Sequence, residues 1–414
     1  MTSMGSQVGW LDFSSEHQQH VYDSLKRFES KETVDDLGFG TIRDAISGAL
    51  FPGTSVLQTR ARYFLFIPWI FQDAQRLSPQ KMIERSRNYE LRLISALEAS
   101  DDTSGVIGIQ KKTALKTVPS SIYWSGLQKF GIFKLRGRSI QQFGKLVAKH
   151  REDIEYEGEF VGGGSPFWCE MPDPPKDFFR FEIAELRLTR KESEWLSEKI
   201  ISTSTSANPN LLASLVKMIL NGETSFLDEE SYKHVWDFEL PNYVDERLRE
   251  IVHHSQHFAL LAQGASLIYN ALLVEKLKQY DREITFASDY EKQLLEWAGK
   301  AADRDLESWC LKKEEFWRSL ESVGATTSKS AREFVDALAD YVSRFGVTAF
   351  CSNQEVRDCI KDREIHHKSQ PRLGRRDRLF AYQGDAGTGL MTFRWDLVKR
   401  LLTDISDGRN SGAS

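Results

Sequence analysis

The chain has 414 residues, 40% of them apolar and 28% charged, with 25 Phe, 12 Tyr and 10 Trp. That balance excludes a disordered or collagen-like chain and supplies a sizeable core; at ~150 residues per domain the length predicts two or three domains. The formal charge is −5, from 55 Lys and Arg against 60 Asp and Glu, so no global basic excess draws the whole molecule toward nucleic acid.

Helical patterns dominate in chain order. Ser14 or Ser15 can cap a helix running toward Phe28. Thr41 can cap the next, in which Ile42, Ala45, Ile46 and Ala49 share a face and Phe51-Pro52-Gly53 ends the run. Tyr63 to Phe71 is the most apolar stretch. It is shorter than the ~20 residues a membrane helix needs, and a buried helix is the expectation. Residues 78 to 99 read as a helix with Ser78 as cap and Pro79 in the first turn. Gly158 to Pro175, with Gly162-Gly163-Gly164 and four prolines, is the clearest break. Beyond it, 190–201, 208–221, 242–280, 288–301, 303–322 and 329–345 carry helical periodicity. Val252 to Lys278 is apolar on most sides, as a central core helix is. A last helix near Phe393–Ile405 places Leu397, Leu401, Leu402 and Ile405 on one face. Strand candidates are few: Ile132–Leu135 and Phe179–Ile183.

The fold expected is therefore mainly α: an N-terminal helical region over 1–103, a basic winged-helix-like segment over 104–157, a Gly/Pro-rich linker over 158–178 and a helical C-terminal domain over 179–414. No basic stretch followed by an apolar one opens the sequence, and Cys169, Cys310, Cys351 and Cys359 form no disulfide or zinc pattern. A cytoplasmic chain with free thiols and no membrane contact is the expectation.

The strongest local signal is electrostatic. From Thr103 to Arg151 there is no Asp or Glu, while Lys111, Lys112, Lys116, Lys129, Lys134, Arg136, Arg138, Lys145, Lys149 and Arg151 fall within it. An acidic run from Glu152 to Glu159 follows at once. Inside the block, Val118-Pro119-Ser120-Ser121 starts a helix, Gly131 stops it, Ile132–Leu135 reads as a strand and Arg136-Gly137-Arg138 as a turn with basic tips. That order resembles the end of a winged helix-turn-helix, which places a helix in a groove and a basic wing on the backbone. Lys111, Lys112, Lys129, Lys134, Arg136 and Arg138 are the candidate phosphate contacts, which position DNA without reading its sequence. The same surface can instead dock an acidic protein. A second basic cluster spans His366, His367, Lys368, Arg372, Arg375, Arg376 and Arg378. Of these Arg372, Arg375 and Arg376 are further candidates, with Tyr382, Phe393 and Trp395 nearby to stack on bases.

No complete catalytic signature is present. His366-His367-Lys368 opens like a phospholipase-D-type motif, but Leu373 stands where that motif needs Asp. Gly384-Asp-Ala-Gly-Thr-Gly389 lacks the Lys and Ser or Thr of a phosphate loop, since Leu390 and Met391 follow. His253 and His257 share a helix face, a possible metal pair without a third ligand; histidines hydrogen-bonded between helices are the plainer reading. Glu29-Ser30-Lys31 and Glu275-Lys276-Leu277-Lys278 contain Glu-x-Lys, which alone does not make a metal nuclease. No catalytic residue, metal or cofactor is assigned.

Gly9-Trp10-Leu11-Asp12-Phe13-Ser14, Asp36-Leu37-Gly38-Phe39-Gly40-Thr41-Ile42-Arg43-Asp44, Leu50-Phe51-Pro52-Gly53-Thr54-Ser55 and Thr59-Arg60-Ala61-Arg62-Tyr63-Phe64 form a distinctive text. Together with Thr392-Phe393-Arg394-Trp395 it resembles an uncharacterised prokaryotic family, domain of unknown function number 6361. The resemblance implies membership of antiviral defence clusters, beside helicases and phospholipase-D-like nucleases, and carries over no catalytic residues. Arg43-Asp44 and Arg60-x-Arg62 read as a buried ion-pair network holding the N-terminal helices; alternatively Asp12, Asp44 and Arg60 or Arg62 form a polar site or a subunit contact. Three functions follow as expectations: a non-enzymatic, DNA-contacting accessory subunit assisting a helicase or nuclease; a protein scaffold docked by its basic segment; or a nuclease with a dispersed metal site.

Overall fold

A computed structural model describes residues 35–110, 115, 117–157, 165–228, 230–282, 284 and 289–411, with the backbone path alone for 151–157. The predicted helix from Ser14 or Ser15, and Lys111, Lys112 and Lys116, lie outside the described residues. Fifteen helices and no strand occur among them, so the fold is mainly α. They divide into two compact units, the first made by described residues 53–203 and 400–411, the second by 35–52 and 204–399. The described part of the Gly/Pro-rich segment, 165–178, lies within the first unit.

The first unit is built around α2 (Tyr63–Ala74), labelled after α1 (Gly40–Leu50) of the second unit. Every side chain from Tyr63 to Phe71 is buried, so α2 is wrapped on all sides, as its unbroken apolar text requires. α3 (Pro79–Glu98) and α4 (Pro119–Lys129) pack on α2, and α5 (Ile140–Glu157) packs on α3. α3 starts at Pro79, whose missing N–H costs nothing in a first turn. The start of α4 rests on a buried acid: Glu90 of α3 accepts from Ser120 N at 2.6 Å and from Ser120 Oγ at 2.8 Å. α6 (Arg190–Ile201) opens with a capping box between Thr189 and Glu192. Glu192 also pairs with Arg62 at 2.8 Å, and Arg60 Nε lies 2.9 Å from Asp404 with its Nη1 2.6 Å from Asp102. The ion-pair reading of Arg60 and Arg62 therefore describes the structure; Asp44 belongs to the second unit, where it meets Arg43, and Asp12 lies outside the described residues.

In the second unit the centre is α8 (Glu246–Lys278), which follows α7 (Leu211–Leu220). α8 is long and apolar enough to cross a membrane, yet 78% of its most apolar window is buried. Its cover consists of α1, α9 (Tyr290–Asp303), α10 (Leu306–Leu311), α11 (Lys313–Ser322), α12 (Lys329–Phe350), α13 (Gln354–His367) and α14 (Arg376–Phe380). Gly264 permits the closest approach: a Cβ there would meet the Trp297 ring at 2.3 Å, and Trp297 Nε1 donates to Leu260 O at 2.7 Å. α12 kinks at Gly346, whose φ of 78° suits glycine, and Glu307 accepts from Val347 N just beyond. α15 (Trp395–Asn410) closes the chain, its residues from Arg400 onward belonging to the first unit.

Four local expectations change. Phe39, rather than Thr41, precedes the first turn of α1. The expected single helix over 303–322 is two, α10 and α11, because Lys312 adopts a non-helical conformation between them. The strand expected at Ile132–Leu135 is one antiparallel bridge, Phe133 to Trp168, with Lys134 N donating to Phe167 O at 2.8 Å. Phe179–Ile183 is not a strand: Phe178–Arg180 forms a 3-10 turn, and Phe178 stacks on Phe66 instead of extending a backbone ladder.

Candidate nucleic-acid interface

The predicted helix–glycine–turn order is present, and its core is aromatic. Trp124, Phe133, Phe143 and Trp168 are all buried, with ring centroids between 4.7 and 5.9 Å apart. Gly131 ends α4 with φ of 66°, a left-handed conformation that glycine accepts without strain. The turn is clamped from beneath. Trp124 Nε1 donates to Arg138 O at 2.7 Å, Gln128 Nε2 donates to the same carbonyl at 3.3 Å, and Arg138 N donates to Gln128 Oε1 at 3.3 Å. Ser139 then caps α5 reciprocally: Gln142 N donates to Ser139 Oγ and Ser139 N donates to Gln142 Oε1.

The expected wing differs. Arg136-Gly137-Arg138 leads directly into α5 instead of joining two strands, and among the described residues the β pairing of Phe133 is a single bridge to Trp168. What remains is a rigid basic turn between two helices. Lys129, Lys134, Arg136, Arg138, Lys145 and Lys149 are all exposed. Lys145 and Lys149 lie four apart and share one face of α5. Lys134 Nζ donates to Ser165 O at 2.7 Å. Among the described residues Lys129, Arg136, Arg138, Lys145 and Lys149 make no ion pair. Unpaired, exposed cations on a held backbone can meet phosphates without first breaking internal bonds.

The C-terminal cluster is organised differently. Arg372 Nη1 lies 2.5 Å from Asp36 and Lys368 Nζ lies 3.2 Å from the same carboxylate. Glu364, fully buried, accepts from Arg372 N at 2.5 Å, from Leu373 N at 3.2 Å and from Tyr269 Oη at 3.2 Å. Burial pushes the Glu364 carboxyl above the usual range. Arg372 is thus occupied in holding its own segment. Arg375 is exposed and lies 3.2 Å from Asp377, while Arg376 is exposed and stacks over Tyr280 and Phe380 at 4.8 and 5.0 Å. The aromatic residues offered as base platforms are core: Tyr382 is 6% exposed, Phe393 1% and Trp395 0%, so none presents a face to a base. The Gly384–Gly389 loop is a pinned turn, with Ala386 N donating to Asn270 Oδ1 at 2.8 Å and Gln263 Nε2 to Thr388 O at 3.0 Å.

The histidines of α8 are hydrogen-bonded between helices. His257 Nε2 lies 2.9 Å from Arg304 O and its Nδ1 2.9 Å from His253 O, and the ring stacks on Trp309. Trp309 Nε1 donates to His254 Nδ1 at 2.8 Å. Burial, with the charges of His253 and His257, pushes His254 down to about 4. Among the described residues no three His, Cys, Asp or Glu side chains converge as metal ligands. The four cysteines are free thiols, and burial raises Cys310 to about 12 and Cys351 to about 11. Sequence reasoning missed the clamp on the turn, because Trp124 and Gln128 read only as helix positions; it also missed Lys145 and Lys149 as site members, although both stand in the acid-free block.

No curated protein and no solved structure matches the chain. The model of a family of unknown function, DUF6361, matches residues 5–409, and the chain belongs to that family.

Proposed function

We propose that this chain contacts the phosphate backbone of nucleic acid through the basic turn between α4 and α5, as a non-catalytic subunit acting with a partner enzyme. One observation carries the reading: exposed Lys129, Lys134, Arg136, Arg138, Lys145 and Lys149 surround a clamped turn in an acid-free stretch of a chain that is acidic overall. Sequence-independent binding follows from such chemistry, since phosphate contacts position a duplex without reading it. The partner this role calls for is a helicase or phospholipase-D-like nuclease of an antiviral defence system. Arg375 and Arg376 are secondary contacts in this scheme; Arg372, paired with Asp36, serves the fold.

Fluorescence anisotropy with single- and double-stranded DNA at several salt concentrations tests it. If the six exposed cations neutralise duplex phosphates, log affinity falls against log salt with a slope of about −5. Reversing Arg136 and Arg138 to Glu removes two cations, and the slope drops to about −4 or shallower as affinity falls. Absence of binding at low salt sinks the reading and leaves the basic turn to an acidic protein partner.

A further inference from the structure

A second feature lies in the other unit and has no part in the basic turn. α8, the Arg304–Asp305 corner, α10 and α11 line an open cavity of about 690 Å³. That volume is in the range of small-molecule sites, which run from about 300 to 1,000 Å³. Its inner wall is His254, His257 and Trp309, each 5 to 7% exposed. Both nitrogens of His257 face carbonyl oxygens. His254 is different. Its Nδ1 accepts the Trp309 indole proton, so the neutral ring carries its own proton on Nε2. That Nε2–H has no partner among the described residues, although the residue is more than nine-tenths buried and lines the cavity. The Nε2–H is open to solvent in the cavity, where a ligand acceptor can take the place of water.

The rim sets the chemistry of that acceptor. Arg247, Arg304, Lys312 and Arg318 line the cavity; Arg247 pairs with Asp245, whereas Arg304 and Lys312 make no ion pair among the described residues. Guanidinium forks and an ammonium beside an N–H donor suit a tetrahedral oxyanion with several acceptor oxygens. Glu250, Asp305 and Glu315 line the same cavity. Three carboxylates would repel an extended polyanion, yet they accept hydrogen bonds from hydroxyl or amino groups of a compact ligand. We infer that the cavity binds a small phosphorylated molecule bearing hydroxyl or amino groups, such as a nucleotide or sugar phosphate. His254 Nε2–H and the Arg304, Lys312 and Arg318 side chains receive the phosphate.

Isothermal titration calorimetry on the full chain tests this with pyrophosphate and ATP as probes, and with a duplex oligonucleotide as competitor. Both probes should bind with dissociation constants of about 1 mM or tighter. Lys312→Glu and Arg304→Glu, both at exposed positions, should weaken binding at least about tenfold. His254→Phe keeps a ring and removes the donor, and should weaken it similarly; the rim variants carry the test if His254→Phe does not fold. Arg136→Glu with Arg138→Glu should leave pyrophosphate binding unchanged, which separates this site from the basic turn. Absence of binding by either probe up to ~10 mM, or binding indifferent to both rim reversals, overturns the inference. Displacement of pyrophosphate by the oligonucleotide in the Arg136/Arg138 double variant also overturns it, by showing an extended polyanion in the cavity.

Discussion

Replacing Glu90 by glutamine removes a charge that burial makes costly. Glu90 is 1% exposed, and loss of water pushes its carboxyl up to about 7 from an ordinary 4.5, even though Ser120 N and Oγ donate to it. In the unfolded chain the group loses its proton near 4.5; in the folded chain it keeps it until near 7. Between those values the folded state holds more protons, so this group's contribution to stability falls as pH rises, and the full cost stands above pH 7. At 1.36 kcal/mol per unit the difference is about 3 kcal/mol. Glutamine does not titrate and keeps one acceptor for Ser120. It gives up the favourable anion at the start of α4, worth about 0.3–1 kcal/mol, and must place a buried amide N–H. Glu90→Gln should therefore be more stable than the parent by about 1–2 kcal/mol at pH 8, with the advantage gone by pH 5. Urea unfolding at pH 5, 6, 7 and 8, read by tryptophan fluorescence and by hydrogen exchange across α4, measures it. A difference between the two proteins that stays constant over that range refutes the argument, because it would mean that Glu90 does not change protonation on folding.

Other consequences concern both units. His254 has the opposite sign: its folded value near 4 lies below the ordinary 6.5, so its contribution is intact above pH 6.5 and is lost as pH falls toward 4, by up to about 3 kcal/mol; hydrogen exchange across α8 and α10 should rise over that window, and unchanged protection would count against it. Gly264→Ala should cost about 2 kcal/mol or more, since its Cβ meets the Trp297 ring at 2.3 Å; a melting temperature within a degree or two of the parent would show that the ring moves freely. Arg60→Ala leaves Asp404, 6% exposed, without its guanidinium and should destabilise the first unit by about 3 kcal/mol; limited proteolysis at several urea concentrations reads this, and an unchanged midpoint would contradict it. Incubation of the purified chain with plasmid and Mg²⁺ or Mn²⁺ should give no nicking, and metal-dependent cleavage that survives repurification would replace the accessory role with a nuclease.

Helices were legible in the sequence wherever their determinants are local. The periodicity over 190–201 matches α6, and Ser78-Pro79 places the start of α3. The apolar text of Val252 to Lys278 foretells the buried centre of the second unit. The acid-free block is likewise a linear property, so its exposed cations follow from composition once the helix between Pro119 and Lys129 is recognised.

Tertiary structure decided whatever depends on residues far apart in the chain. Asp36 takes Arg372 from across 336 positions, which turns a candidate contact into a fold-holding pair. Trp168 answers Phe133 with a single bridge, so the short β-like text never becomes a wing. Burial of Tyr382, Phe393 and Trp395 removes them as stacking platforms, although their sequence neighbours are basic. The cavity at His254 draws its walls from α8, the corner at 304–305, α10 and α11. Composition, caps and periodicity act over a turn or two and can be read residue by residue. Burial, pairing and the protonation of Glu90 and His254 depend on which distant side chains exclude water, and folding alone brings those together.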